Sequence, residues 1–238
     1  MRRRVLVTRP EPAEAATARR LAALGFEPVL LPLTQTRPLL VAVGELLESR
    51  IGGVAVTSAN GVRHASPELV AALAHLPCHA VGQKTARAAM AAGFAAVHEG
   101  PGDAGGLAAA MATEFAGRTI VYLCGRVRLA GFEQALAAAG AGVFPIETYD
   151  TIAVEYDDDA VAARFGDRPV DAVLLYSAKA AGIVHQLAHR RALAHLFRDA
   201  TFLCLSRRVA SAFPSVDGEK IRISPEPNEE ALLGLLPA

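Results

Sequence analysis

Six short polar groups follow apolar runs in this sequence, and together they could bind an anion. They are Thr8-Arg9-Pro10, Thr57-Ser58-Ala59-Asn60, Gly82-Gln83-Lys84-Thr85, Cys124-Gly125-Arg126, Tyr176-Ser177 and Leu205-Ser206-Arg207. Polar side chains beside the free N–H groups of a helix N-terminus bind carboxylates and phosphates. Ser, Thr and Asn also cap ordinary helices, and capping explains any one group taken alone. We expect an anion site because six such groups converge on one cleft.

The stretch Gly100-Pro101-Gly102-Asp103-Ala104-Gly105 spells the GxGxxG pattern of dinucleotide-binding loops. It occurs in mid-chain, however, and the next strand ends at Cys124 instead of an acid that could bind a ribose. We therefore expect a mobile loop over the cleft and no dinucleotide.

Other chemical signatures are weak. His185 and His189 stand four residues apart on a predicted helix, but no third ligand has matching spacing, so we expect solvent-facing histidines and no metal. No P-loop or nucleophile elbow is present, which leaves kinase and hydrolase functions without support.

The composition predicts a globular protein of the cytoplasm. Of 238 residues, 52% are hydrophobic, enough for a large core, and 24 basic residues balance 24 acidic ones. This balance argues against nucleic acid or a membrane surface as the main partner. Cys78, Cys124 and Cys204 lie far apart in or beside apolar runs, which is typical of reduced, buried thiols. No signal sequence or membrane-spanning stretch is predicted.

The elements that must position the polar groups alternate between short apolar strands and alanine-rich helices, a pattern typical of parallel α/β sheets. In such sheets, ligands bind beyond the carboxyl ends of the strands, where the polar groups fall. The predicted strands are Val5 to Thr8, Val54 to Thr57, His79 to Val81, Ala95 to His98, Thr119 to Leu123, Val143 to Glu147, Ala172 to Tyr176, Thr201 to Leu205 and Lys220 to Ile223.

The chain also repeats itself. The stretch beginning Arg4-Val5-Leu6-Val7-Thr8 parallels the one beginning Arg118-Thr119-Ile120-Val121-Tyr122, and both read as strand, helix, glycine, strand. Val54 to Ala59 matches Val173 to Ala178, and Ala80-Val81-Gly82-Gln83 matches Cys204-Leu205-Ser206-Arg207.

The order of these copies predicts two α/β lobes, each a parallel sheet flanked by helices. Residues 1–36 plus 152–238 form a discontinuous first lobe, and residues 40–147 form an inserted second lobe. The crossings at 33–38 and 148–153 are rich in threonine and could pair as a two-stranded hinge. A single sheet of nine strands is the alternative.

Six motifs occur in a fixed order along the chain: Val5-Leu6-Val7-Thr8-Arg9-Pro10, Thr57-Ser58-Ala59-Asn60-Gly61-Val62, Ala80-Val81-Gly82-Gln83-Lys84-Thr85-Ala86, Glu147-Thr148-Tyr149-Asp150-Thr151, Tyr176-Ser177-Ala178 and Leu205-Ser206. Their order and spacing resemble those of the uroporphyrinogen-III synthase family. The resemblance runs nearly end to end and implies two α/β lobes joined by a two-stranded ladder, one lobe being discontinuous.

The resemblance implies a cyclising hydro-lyase of heme biosynthesis that needs no cofactor. Its substrate would be hydroxymethylbilane, a linear tetrapyrrole with eight carboxylates. Ring A would lose its hydroxyl to give an azafulvene, and ring D would attack through its substituted carbon to give a spiro intermediate. Rearrangement would then close uroporphyrinogen III with ring D inverted, whereas the free bilane closes to the type I isomer.

The resemblance also implies site residues. Tyr149 would be the catalytic residue, a proton donor to the departing hydroxyl, although a structural tyrosine bridging the hinge explains it equally well. This chain departs from many relatives at Cys124-Gly125-Arg126, which leaves open whether Arg126 or Arg128 faces the substrate. Tyr176 also replaces a small hydroxylic residue. The implied substrate-binding residues are Thr8, Arg9, Thr57, Ser58, Asn60, Gly82, Gln83, Lys84, Thr85 and Ser177.

The alternative from another class is a non-catalytic, bilobed sensor of small anions. Neither function calls for nucleic acid or a membrane as a partner, and a monomer is the default. The resemblance leaves open a transient contact with hydroxymethylbilane synthase, which would supply the substrate.

Overall fold

A computed structural model describes residues 2–41, 51–128, 130–213 and 220–237. The chain divides into two compact units. Unit 1 consists of Met1–Gln35 and Ile152–Ala238, and unit 2 is Thr36–Thr151. Within the predicted lobe 40–147, residues 42–50 and 129 lie outside the described part.

Strands and helices alternate along the chain, in agreement with the sequence pattern. The strands are β1 (Arg4–Val7), β2 (Glu27–Leu30), β3 (Thr34–Pro38), β4 (Ile51–Val56), β5 (Cys78–Ala80), β6 (Val97–Glu99), β7 (Thr119–Gly125), β8 (Gly142–Ala153), β9 (Ala172–Leu175), β10 (Thr201–Cys204) and β11 (Ile221–Ile223). The helices are α1 (Ala13–Ala23), α2 (Ala59–Arg63), α3 (Pro67–Leu73), α4 (Gln83–Ala92), α5 (Ala104–Ala112), α6 (Gly131–Ala138), α7 (Asp158–Phe165), α8 (Ala178–His189), α9 (Ala194–Phe197), α10 (Arg207–Ala210) and α11 (Glu229–Leu233).

Unit 1 has a parallel sheet of five strands in the order β11-β10-β9-β1-β2. Its central strands β1 and β9 are buried throughout, as continuous apolar runs require. Because side chains alternate along a strand, Leu6 packs with Phe165 and Phe197 on one face, whereas Val5 and Val7 belong to the core on the other face.

Unit 2 has a sheet of six strands in the order β3-β8-β7-β4-β5-β6, and β4 to β8 are parallel. Strand β3 runs antiparallel to β8, since Leu39 N–H donates to the Thr148 carbonyl and Val154 N–H donates to the Leu33 carbonyl. The chain passes between the units along these two strands.

The five parallel strands of unit 2 have the same topology as the sheet of unit 1, which confirms the prediction of parallel sheets flanked by helices. Strands β1, β2, β9, β10 and β11 of unit 1 occupy the positions that β7, β8, β4, β5 and β6 occupy in unit 2. The structure shifts the alignment of β1 with β7 by one residue from the alignment that the sequence repeat predicts. Leu6 and Val121 lie opposite the equivalent residues Val173 and Val54, so Leu6 corresponds to Val121 and not to Ile120.

No helix among the described residues is long and apolar enough to cross a membrane.

Candidate functional site

The carboxyl ends of neighbouring strands bring the predicted site residues to one edge of each sheet. In unit 2, Thr57 follows β4 and Gly82 follows the adjacent β5, while β7 ends at Gly125. We call this the unit 2 edge. In unit 1, Thr8 follows β1 and Tyr176 follows the adjacent β9, and we call this the unit 1 edge. Parallel α/β sheets bind ligands at such edges.

A β-bulge positions Tyr149 at the unit 2 edge. The register of β7 and β8 shifts just before Gly125, which lies opposite Tyr149, so Thr148 is an extra residue. Its buried hydroxyl donates to the Gly61 carbonyl at 2.8 Å and thereby ties β8 to α2. Bulges of this kind redirect side chains beside functional sites.

The Tyr149 ring lies directly over Gly125, and only a glycine leaves room for it there. A Cβ at Gly125 would lie 2.7 Å from Cζ of Tyr149 and 3.0 Å from its hydroxyl oxygen. Both distances are shorter than any normal contact with a methyl group. Packing against Gly125 therefore fixes the position of the ring, and Tyr149 remains partly exposed to solvent.

His64, a residue that the sequence analysis did not single out, lies beside Tyr149. The two ring centroids are 5.8 Å apart. Burial, and then the charge of Arg63, lowers the pKa of His64 below its usual 6.5, so the imidazole is neutral at pH 7. A single histidine at the end of a short helix leaves no sequence pattern that could have revealed this proximity.

The hydroxyls after β4 have local partners. Thr57 Oγ1 lies 2.6 Å from the hydroxyl of Tyr122, a side chain 2% exposed. Burial raises the pKa of Tyr122 to about 12, which keeps it a neutral phenol. Ser58 caps α2 by accepting from the N–H of Asn60 at 3.3 Å. Capping, the ordinary use of such residues, thus operates at Ser58, and a further role in binding stays a prediction.

Helix α4 begins at the unit 2 edge without a side-chain cap. Gly82 stands before its first turn, where Gln83 and Lys84 are exposed and Thr85 is buried. The uncapped N–H groups carry the positive end of the helix dipole. The GxGxxG loop packs here, since a Cβ on Gly82 would lie 3.2 Å from the Gly102 Cα.

The cations that follow β7 are already paired. Arg128 donates to Glu133 at 2.6 Å and to Glu147 at 3.0 Å, as well as to two backbone carbonyls. Arg126 is 55% exposed and bridges to Glu147 at 3.1 Å. Hydrogen bonds from Arg128, and then from Arg126, lower the pKa of Glu147. Lys84, by contrast, forms no ion pair with a carboxylate of the described residues.

At the unit 1 edge, two predicted binding residues have structural hydrogen bonds. The Thr8 side chain is buried and donates to the Leu174 carbonyl at 2.8 Å. Ser177 caps α8 by accepting from the N–H of Ala180 at 3.2 Å.

Arg9 also has a partner, Glu229, at the start of α11. Arg9 Nη1 lies 2.8 Å from one carboxylate oxygen of Glu229, and its guanidinium stacks 4.3 Å from the centroid of the Tyr176 ring. Arg20 pairs with the other oxygen at 2.9 Å, and Thr17 donates to the first.

The charges at this cluster are stabilised by one another. Burial alone would raise the pKa of Glu229, but the Thr17 hydrogen bond and the charge of Arg9 hold it below its usual 4.5. Burial, and then the charge of Glu229, raises the pKa of Tyr176 to about 12. The sequence analysis did not find Glu229, because it lies 220 positions from Arg9.

Among the described residues, no group of three or more His, Cys, Asp or Glu side chains could hold a metal ion. The prediction that His185 and His189 both face solvent is correct only for His189. His189 is exposed, but His185 is partly buried with its ring edge-on to Phe213, 5.6 Å between centroids.

Comparisons with known proteins agree with one another. The family model of uroporphyrinogen-III synthase HemD matches residues 15–234. The fold is similar to the crystal structure of uroporphyrinogen-III synthetase from Helicobacter pylori, with a TM-score of 0.64 and 18% identity over 99% of this chain and 98% of that one. A mutant uroporphyrinogen III synthase from the extremely thermophilic bacterium Thermus thermophilus gives a TM-score of 0.52 and 22% identity over 88% and 87%. No curated protein matches this chain.

Proposed function

This chain belongs to the uroporphyrinogen-III synthase family, an enzyme family of tetrapyrrole biosynthesis, and we propose that it cyclises hydroxymethylbilane to uroporphyrinogen III. The family match over residues 15–234 carries this proposal. In class the enzyme is a hydro-lyase, because the substrate loses water as the macrocycle closes.

The reaction needs positioning more than strong acid–base chemistry. Loss of the ring A hydroxyl gives an azafulvene, and ring D attacks it through the substituted carbon. The spiro intermediate then rearranges so that ring D closes in the inverted direction. Since the free bilane cyclises unaided to the type I isomer, the protein has to hold the one geometry in which the substituted carbon attacks.

We assign the proton for the departing hydroxyl to Tyr149. The phenol gives its proton to the hydroxyl, which leaves as water, and the proton that ring closure releases returns to the phenolate. Two observations support this role: the ring is held over Gly125, and Tyr149 is partly exposed. A fixed, solvent-reachable donor is what a general acid requires.

Binding of the substrate carboxylates is assigned to the predicted residues at both edges. Two features support this at the unit 2 edge: α4 begins without a side-chain cap, and Lys84 forms no ion pair with a carboxylate of the described residues. A carboxylate there accepts hydrogen bonds from backbone N–H groups and gains from the helix dipole. Ser58, Asn60 and Thr57 would contribute polar atoms from the neighbouring helix start.

The proposed location is the cytoplasm. The three cysteines are free and buried, and burial raises the pKa of each thiol to about 12. Free thiols are typical of reducing compartments.

The test couples the purified protein to a deaminase that generates hydroxymethylbilane, oxidises the products and separates type I from type III uroporphyrin by chromatography. We expect type III to predominate only when this protein is present. Formation of type I alone by folded protein would overturn the proposal.

Tyr149→Phe tests the assigned acid in the same assay. We expect kcat to fall about 100-fold, the typical contribution of a positioned proton donor. KM and the thermal unfolding midpoint should change little, since the aromatic ring still packs over Gly125. Wild-type turnover by this variant would remove Tyr149 from the chemistry and leave the family assignment intact.

A further inference from the structure

The unit 1 edge contains a ready-made carboxylate site, and in this structure a carboxylate of the chain itself occupies it. Four side chains, two from α1 and one from each of the loops after β1 and β9, surround Glu229. Arg9 and Arg20 approach separate oxygens at 2.8 and 2.9 Å, the Tyr176 hydroxyl donates at 3.1 Å, and the Thr17 hydroxyl also donates. Two guanidinium groups and two hydroxyls around one carboxylate form a recognition site of high donor density.

The fold does not require a carboxylate at this position. Helix α11 follows β11 as α5 follows β6, and each helix has a side-chain cap, Asn228 in unit 1 and Asp103 in unit 2. The residue after the cap is Glu229 in unit 1 but Ala104 in unit 2. The equivalent sheet therefore folds without the ion pairs that Glu229 makes.

The helix that carries Glu229 is anchored independently of that side chain. Leu232 on α11 is fully buried, and Leu233, Leu235 and Leu236 pack against the same core as Val5 and Val7 of β1. The Glu229 side chain is 19% exposed, so its carboxylate lies within reach of solvent. It can rotate away from Arg9 while the leucines keep α11 in place.

We propose that Glu229 is an internal competitor for this site, and that a substrate carboxylate displaces it to bind Arg9, Thr17, Arg20 and Tyr176. This inference rests on the proposed function for the identity of the ligand, a polycarboxylated tetrapyrrole. Binding to the unit 1 edge then includes the work of breaking the Glu229 contacts, which weakens the apparent affinity. The residue acts on affinity and takes no part in the chemistry.

The test measures binding without turnover, with uroporphyrin III as the octacarboxylate probe and its fluorescence as the signal. Glu229→Gln removes the competing charge, and we expect its dissociation constant to be about fivefold lower than that of the wild type. Glu230→Gln is the matched control, because it removes the same charge from the exposed side of α11. It should leave the dissociation constant unchanged.

The double variant Arg9→Gln, Glu229→Gln identifies the site. It should lose the gain in affinity, because the freed guanidinium is what the probe would bind. A folded Glu229→Gln protein that binds no tighter than Glu230→Gln overturns the proposal, and so does a double variant that keeps the gain.

Hydrogen exchange on the wild type gives a second test that needs no folded variant. Saturation with uroporphyrin III should speed exchange of the amides of residues 229–231, because displacement of Glu229 removes a contact of the first turn of α11, whereas the leucines hold the rest of the helix. Unchanged or slower exchange there would contradict the displacement. Because these measurements involve no turnover, their failure is distinguishable from failure to form the type III isomer.

Discussion

The two sheets share one topology, yet their carboxyl edges differ in charge. At the unit 1 edge, Arg9 and Arg20 are both paired with Glu229. At the unit 2 edge, α4 begins without a side-chain cap, and Lys84 has no carboxylate partner within the described ranges. Helix α10, which follows β10 as α4 follows β5, also begins without a side-chain cap, so the difference between the edges lies in the ion pairs: Glu229 holds Arg9 and Arg20 in unit 1, and no carboxylate of the described residues holds Lys84 in unit 2.

The difference shows that the duplicated folds place functional groups at equivalent positions but do not give them the same ion-pair partners. The residue after the helix cap is Glu229 in one copy, where it pairs with Arg9 and Arg20, and Ala104 in the other, where Arg126 and Arg128 pair with Glu147 and Glu133 instead. A second difference between the edges is steric, because the Tyr149 ring at the unit 2 edge fits only where Gly125 has no side chain. Changes at these positions test whether the edges have separate tasks.

Gly125→Ala should have the largest effect, because it disturbs the unit 2 edge directly. The new methyl group would lie 2.7 Å from Tyr149 Cζ and must displace the ring. We expect kcat to fall at least tenfold and the free energy of unfolding to fall by about 1–3 kcal/mol. The coupled isomer assay and urea unfolding measure these quantities.

Gly131→Ala is the control for that variant. A Cβ at Gly131 meets nothing within 4 Å, and the residue begins α6, so alanine should leave both quantities nearly unchanged. Equal kcat values for the two alanine variants would show that the position of the Tyr149 ring does not matter.

Lys84→Gln should have a smaller effect, confined to binding. It removes a cation of the unit 2 edge that has no carboxylate partner in the described part of the chain, and we expect KM for hydroxymethylbilane to rise about fivefold, the upper range for an exposed charge pair. Arg87→Gln removes the same charge one turn further along α4 and should leave KM unchanged. If both variants raise KM equally, the effect is one of net charge and not of the helix start.

The pH dependence of stability should show the smallest difference between the edges. The folded-state pKa of Glu229 lies below the unfolded value of 4.5, so its ion pairs stabilise the fold above pH 4.5 and are lost as the pH falls further. At pH 7 the wild type should unfold about 3 °C above Glu229→Gln, and this gap should close in acid. Lys84→Gln should show no such trend, and a gap for Glu229→Gln that is independent of pH would contradict the ion-pair assignment.

Much of the fold could be predicted from the sequence, because parallel strands leave strong local signals. Strands β4, β7 and β9 are runs of buried apolar residues, and the sequence placed all of them. Strand β2 was absent from the predicted strands and only the internal repeat indicated it, since Glu27 and Pro28 are poor strand formers. Its pairing with β1 overrides that local preference.

The site could be predicted less fully, because its partners come from distant parts of the chain. The residues at strand ends were visible as polar groups after apolar runs. Three contacts left no local pattern: Glu229 with Arg9, His64 beside Tyr149, and the Tyr149 ring over Gly125. Each depends on strand order or on the bulge at Thr148, which only the folded sheet defines.

The discontinuity of unit 1 also imposes an order on biosynthesis. Strand β1 lies in the middle of its sheet, between β2 and β9, but the ribosome makes β9 only after the whole of unit 2. Unit 2 is continuous in sequence and can fold as it emerges from the ribosome. Strand β1, by contrast, lacks its hydrogen-bonding partner β9 until unit 2 has been synthesised. Strand β1 is therefore exposed to chaperones and proteases until synthesis reaches β9.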